Sequence, residues 1–444
     1  MDVNVSSKDG FNPLLIATEK NQLAIVKYLV EVAGVDTNVQ AGLGQTPTYI
    51  SASKGNLDVL RYLVNHANAD LETASNYDFT PLLIAVQENR LDVIKFLVTS
   101  GKVNVNARTN DGQSAVYIAA KEGHVDILRY LVNTVALDYT LGDENGFTPL
   151  HIAAQKGQFA VVRYFVDELG MSPDVQSANG ITCVYLCSKY GYEDLVRYFV
   201  DSVGANPNLA SNDGWSPLHV ACQEGALDIL RYLVHSAAAV TSGLTSKGSS
   251  LIYIAANYGQ LDVVEFLHSI GADAELAQEV GWRPLHIAIQ ADHSTVVRYL
   301  IEAVGVDPDA QTHNGATPLY IAAKNGSLDL VRYLVEDVNV DTSIVNSTGD
   351  TPVFIASWYG KLDIVKYLVE DAGLDAKLPS DDGFTPLLIA AEKGELEIVK
   401  YLVEVAHVDV DAQANDDQTA VYLASFYGHL DTVKYLIEYA RAHD

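Results

Sequence analysis

One short phrase returns along this chain and constrains its fold more than any other feature: NPLLIA from Asn12, TPLLIA from Thr80, TPLHIA from Thr148, TPLYIA from Thr317 and TPLLIA from Thr385. Weaker copies fill the gaps. The opening residue is Asn12, Thr46, Thr80, Ser114, Thr148, Thr182, Ser216, Ser250, Arg283, Thr317, Thr351, Thr385 and Thr419, spaced by 34 residues everywhere except the 33 from Ser250 to Arg283. A chain of 444 residues would otherwise be read as about three domains of ~150 residues each. Register this regular predicts instead a single array, 1–444, of thirteen stacked units opening near residues 7, 41, 75, 109, 143, 177, 211, 245, 278, 312, 346, 380 and 414.

Each unit reads as two helices and a turn. Thr351-Pro352 sets a hydroxyl cap before a proline at the first helical position, where the missing N–H costs nothing. Nine residues after the opening slot stands Gly in ten units and Asn21, Asn89 or Asp292 in the other three, residue types that tolerate the left-handed conformation ending a helix. The following LDIVKYLVE puts Leu362, Ile364, Val365, Tyr367, Leu368 and Val369 on one side and Asp363, Lys366 and Glu370 on the other, a second, amphipathic helix. Segments such as GVDPDAQTHNG are rich in Asp, Asn, Gly and Pro and predict a turn with a projecting loop. Five residues after the opening slot, Ala occupies eleven units, with Ser51 and Cys187 in the other two, as expected where one helix backbone must approach its neighbour closely.

TPLHIAAQKG from Thr148, preceded by DENGF and followed by VVRYFV, resembles the ankyrin repeat, and the resemblance covers essentially the whole chain. It implies an all-α solenoid of antiparallel helix pairs with projecting β-hairpin-like loops and a concave face that binds other proteins. The usual ankyrin unit is one residue shorter, and the extra residue here falls before the Gly of phrases such as EVAGVD. HSIGADAE, from His268, keeps the shorter form. The His of TPLH survives at His151, His219 and His286, where the resemblance implies a structural hydrogen-bonding role.

A second rhythm runs at twice that period. Immediately before the opening slot, at the expected loop tip, stand Phe11, Phe79, Phe147, Trp215, Trp282 and Phe384. Units without an aromatic there instead carry Tyr49, Tyr117, Tyr185, Tyr253, Tyr320, Phe354 or Tyr422 in the His slot of TPLH, without exception. Rings about 20 Å apart would anchor an extended or repetitive partner. The same rings would equally serve to pack against the loop of the Tyr-bearing neighbour. Tyr190, Tyr258, Trp358, Tyr359, Phe426 and Tyr427 fall at the end of the first helix, the part that the resemblance turns toward the concave groove.

Chemistry has little to stand on. Catalysis needs a nucleophile or base held near a partner in a cleft, whereas the polar residues here recur once per unit, so the chain is not expected to be an enzyme or to hold a cofactor. Cys183 and Cys187 lie four apart on one predicted helix, but with Cys222 they fall short of the four ligands of a structural zinc site and read as packing residues. Gly42-Leu43-Gly44 lacks the third Gly and the Lys of a phosphate loop. Three cysteines form no disulfide framework, which places the chain in a reducing, cytoplasmic compartment. MDVNVSSKDGFN has neither a basic start nor an apolar stretch, and no run approaches ~18 apolar residues, so membrane insertion is not expected.

The formal charge of −29 repels nucleic acid and favours basic partners. Acid–base pairs such as Asp58 with Arg61, Asp228 with Arg231, Asp363 with Lys366 and Arg332 with Glu336 decorate the second helices, each pair contributing a few tenths of a kcal/mol. From Ser250 to Leu300 the pattern weakens: Glu265 replaces the usual base and Arg283 takes the Thr slot, which marks a seam or a partner-shaped segment. Asp2-Val3-Asn4 reads as the tail of a preceding unit. The expectation is a monomeric, non-catalytic scaffold or adaptor that binds proteins or extended peptides. The alternative is a regulatory or targeting segment of a larger protein.

Overall fold

Thr, Ser or Asn at the opening slot accepts a hydrogen bond from the backbone N–H three residues on, as Thr351 does from Phe354 at 3.1 Å and Asn12 from Leu15 at 3.0 Å. This satisfies an orphan donor and starts a helix of seven or eight residues. All thirteen stop slots then adopt positive φ, from Asn21 at 55° to Gly326 at 92°. The computed structural model, which describes residues 5–443, thereby contains 26 α-helices and no strand among those residues; Asp2-Val3-Asn4 lies outside them. No described helix is long and apolar enough to cross a membrane.

Two compact bodies make up the chain, Met1–Pro217 with His235–Ala239, and Leu218–Val234 with Val240–Asp444. Within each body the units stack by the same rules. First helices pack on first helices and are buried almost completely; all of Pro81–Gln87 except Gln87 is buried. The small-residue slot lies at these contacts, with Ala85, Ala119, Ala322 and Ala390 fully inaccessible. Second helices bury one face only: Leu57–Asn65 hides Val59, Leu60, Tyr62, Leu63 and Val64.

The extra residue of the longer unit is absorbed in one place. In nine units a backbone N–H closes on the second helix over six residues, as Val35 to Leu29 and Leu374 to Leu368, whereas in the short unit Ala272 closes on Leu267 over five. In six units this extra length winds into a π-helical turn, such as Tyr367–Asp371. The unit of Leu91–Thr99 departs from the expectation: its Gly101 comes early and the extra residue, Lys102, follows it.

Lateral ladders join the units. Among the described residues, in seven of the units the residue before the second helix reaches back to the carbonyl end of the preceding first helix, including Asn56 to Thr18 at 2.7 Å, Arg90 to Ser53 at 2.9 Å and Gln260 to Gln223 at 3.0 Å. These bonds cap carbonyls that the helix itself leaves unsatisfied. Turns are zipped tip to tip by backbone bonds such as Asn76 to Leu43 and Asp381 to Thr348.

A third ladder corrects the expected charge pattern on the second helices. Arg332 does pair with Glu336, at 3.0 Å, but Asp58–Arg61, Asp228–Arg231 and Asp363–Lys366 form no ion pair among the described residues. Arg61, Arg231 and Lys366 lie instead over the next unit's ring, Phe96, Phe266 and Tyr401, at 5.7, 5.6 and 5.8 Å. Reaching a ring on the adjacent unit shields the base and the ring from water together, which a solvated pair on one helix does not. Where Glu265 replaces the base, Tyr299 meets His268 edge-on at 6.1 Å. Beside that short unit a cavity of about 270 Å³ opens between Gly243-Leu244 and Ile270–Leu276.

Candidate functional site

The rings before the opening slot are not at a loop tip. In every unit the backbone N–H that opens the turn bonds the carbonyl of that position, as Ser75 to Phe79 and Ser380 to Phe384, so the ring stands at the base of the turn with Gly or Asp at its apex. Phe11, Phe79, Phe147, Trp215, Trp282 and Phe384 are consequently all half-buried. Two of them meet a histidine of their own unit, Phe147 with His151 edge-on at 5.5 Å and Trp282 with His286 at 6.2 Å, while Phe79 and Phe384 each share a hollow with a ring of the preceding unit. Positions four apart at a helix start are neighbours, and each unit carries Phe, Tyr or Trp at one of the two.

The histidines beneath those rings tie units together. His286 Nδ1 accepts from the Arg283 N–H at 3.0 Å, and its Nε2 lies 2.8 Å from the Ala310 carbonyl. The same bond forms where the hydroxyl is present, from the Thr148 N–H to His151 Nδ1 at 3.1 Å, and the Arg283 guanidinium is engaged by Glu275 at 2.7 Å. Burial pushes His219 and His286 down to about 4 and lowers His151, so all three are neutral near pH 7. Burial likewise raises the Cys183, Cys187 and Cys222 thiols, and no group of three or more His, Cys, Asp or Glu among the described residues could hold a metal ion.

Rings at the ends of the first helices are exposed. Tyr190, in the N-terminal body, accepts a hydrogen bond from Gln155 at 3.0 Å, and Tyr258 stands apart from other rings. The C-terminal body gathers the rest into two clusters. Trp358 and Tyr359, at the end of Pro352–Trp358, stack at 6.5 Å, with Phe354 edge-on to Trp358 at 5.9 Å. Phe426 and Tyr427, at the end of Ala420–Phe426, meet at 5.1 Å, with Tyr422 stacked on Phe426 at 6.3 Å. Phe426, 70% exposed, is the most accessible ring described.

Beside the first cluster lies a hollow of about 350 Å³ between the turn at Ser380–Phe384 and the first helices Pro352–Trp358 and Pro386–Lys393. Phe354, Trp358 and Phe384 wall it, and Asp350, Asp382 and Glu392 supply carboxylates. Asp350 accepts from Asn346 and Thr348, each at 2.8 Å, while the Asp382 carboxylate is exposed and has no partner among the described residues. The Lys393 ammonium, which does not line the hollow, lies 4.4 Å from the Trp358 ring centre and 2.8 Å from Glu392. The sequence rhythm flagged Phe354, Trp358 and Phe384, but nothing in it marked Asp350, Asp382, Glu392 or Lys393 as their neighbours. They come from separate units, and only the stacking brings them together.

A family model described as ankyrin repeats (3 copies) matches residues 14–109, 102–177, 167–243, 240–312, 304–378 and 372–444. No curated protein matches the chain.

Proposed function

The chain belongs to the ankyrin-repeat family, whose members generally serve as protein-interaction modules, and from that premise we propose that it is a non-catalytic scaffold or adaptor for extended, basic protein segments. The observation that carries this reading is the exposure of Trp358, Tyr359, Phe426 and Tyr427 at the ends of first helices. A buried helix row that nonetheless ends in large exposed rings leaves apolar area for a partner to cover. Net charge sets the partner's sign, because a surface at −29 steers basic segments in and repels acidic ones. Tyr258 extends this face within the C-terminal body and Tyr190 holds the equivalent helix-end position in the N-terminal body, while Phe11, Phe79, Phe147, Trp215, Trp282 and Phe384 act as half-buried walls rather than free anchors.

The test is selection of a displayed random-peptide library on three proteins: the parent, a Trp358→Ser/Phe426→Ser/Tyr427→Ser variant, and a Tyr28→Ser control that changes an exposed second-helix ring. Basic peptides should be enriched on the parent and the control and bind the triple variant about tenfold or more weakly. Enrichment that is equal on all three would reject the helix-end face as the binding surface.

A further inference from the structure

The second helices show how this molecule holds an arginine. Arg298, Arg332 and Arg129 each lie on a neighbouring unit's tyrosine, with ring-centre distances of 3.9, 4.3 and 4.8 Å. Carboxylates pair with each guanidinium at the same time: Glu302 and Asp337 with Arg298, Glu336 and Asp371 with Arg332, and Glu168 with Arg129. Ladder bases without a paired carboxylate among the described residues stand farther off, Lys27, Lys366 and Lys95 at 5.7, 5.8 and 6.0 Å and Arg61 and Arg231 at 5.7 and 5.6 Å, so the close approach goes with guanidinium and carboxylate together. A planar guanidinium can lie flat on a ring while its edge donates to carboxylates, whereas an ammonium is a strongly hydrated point charge.

The hollow at Phe354, Trp358 and Phe384 presents rings and carboxylates of the same kind, and the base beside it, Lys393, stands on Trp358 at 4.4 Å outside the hollow and pairs with Glu392. Ring walls and the carboxylates of Asp350, Asp382 and Glu392 face one space of about 350 Å³, and no Lys or Arg lines it. Glu392 is already partly neutralised by Lys393, but the Asp382 carboxylate has no partner among the described residues. We infer that this hollow is the seat for an arginine side chain carried on an extended basic segment of a partner protein. The inference rests on the groove-binding reading above and adds to it a residue-level anchor and its chemistry. Rings supply the flat faces, Asp382 the open carboxylate at the rim, and Asp350 and Glu392 the flanking charge.

Fluorescence anisotropy of a labelled arginine-glycine-serine peptide on the full chain tests the seat. The comparison proteins are Asp382→Asn/Glu392→Gln and a control, Glu397→Gln/Asp431→Asn, that removes the same charge from exposed second-helix positions. The seat predicts loss of about tenfold or more in the first variant and little change in the control, with similar loss when citrulline replaces arginine in the peptide. Equal weakening in both variants would reduce the effect to general charge and overturn the seat. A lysine peptide binding as tightly would overturn the assignment to arginine, and spermine binding as tightly with the same dependence on Asp382 and Glu392 would overturn the assignment to a peptide. No binding of the arginine peptide, while library selection still returns helix-end-dependent peptides, would refute the seat and leave the groove reading standing.

Discussion

The hollow beside Phe79 in the N-terminal body and the hollow beside Phe384 in the C-terminal body are built on the same backbone positions, yet a cation lines only the first, while in the second Lys393 stands outside on Trp358. Tyr49, Phe79, Ile84 and Gln87 line the first, at the places of Phe354, Phe384, Ile389 and Glu392 in the second. The first is wider, about 490 against 350 Å³: it extends to Thr109, Asp111 and Gln113 of the following unit, and Ser53 stands where Trp358 walls the second. Lys121 lines it where the C-terminal body carries Phe426. The stacking rules therefore fix where a hollow forms, and the residues that the stack does not need decide what it can hold.

The largest expected divergence between the two bodies comes from acid. A histidine held neutral by burial has its folded pKa below the unfolded value of about 6.5, so its stabilisation is complete above that pH and declines as pH falls toward about 4. The C-terminal body holds two such residues, His219 and His286, and the N-terminal body one, His151. Near pH 5 each of the first two should contribute a loss of about 2 kcal/mol. Hydrogen exchange followed from near pH 7 to near pH 5 should show opening free energies falling further in the C-terminal body. An equal fall in both would mean that these histidines do not set the acid response.

A smaller effect comes from converting one hollow into the other. Gln45→Asp, Ser53→Trp, Tyr77→Asp, Gln87→Glu and Lys121→Phe together give the N-terminal hollow the rings and carboxylates of its counterpart. Calorimetry should then find a second site for the arginine peptide, stabilised by about 1–2 kcal/mol over the parent hollow. If the stoichiometry stays unchanged, the wall residues are not sufficient and backbone differences between the bodies matter more. Smallest is the effect of Lys393→Met, which removes the ammonium from the outer face of Trp358 and frees Glu392. Affinity for the arginine peptide should rise by about threefold or less, since an exposed pair of this kind is worth only a fraction of a kcal/mol. Weaker binding would show that Lys393 orients Trp358 rather than competing with the ligand.

Helix positions were legible in the residues because caps and stops act within a few residues of themselves. Thr351 meets the N–H of Phe354, and Gly360 adopts the left-handed conformation without any neighbour's help. The double-period alternation of rings was legible for the same reason, since Phe147 and His151 are four apart on one helix start. The sequence alone thus determined the repeat, the two helices of each unit, the turn and the family.

Only the tertiary structure decided which side chains meet. Arg332 reaches Tyr367, Asn56 reaches Thr18, and Trp358 shares a hollow with Phe384 and Glu392, all between residues 26 to 38 positions apart in chain order or linked through a neighbouring unit. Such contacts depend on how far one unit is displaced against the next, a quantity set by the summed packing of buried faces such as Ala390 against its neighbours. Local sequence specifies the conformation of a unit, but the reach of a side chain into the adjacent unit is fixed only once the small residues have let the backbones close together.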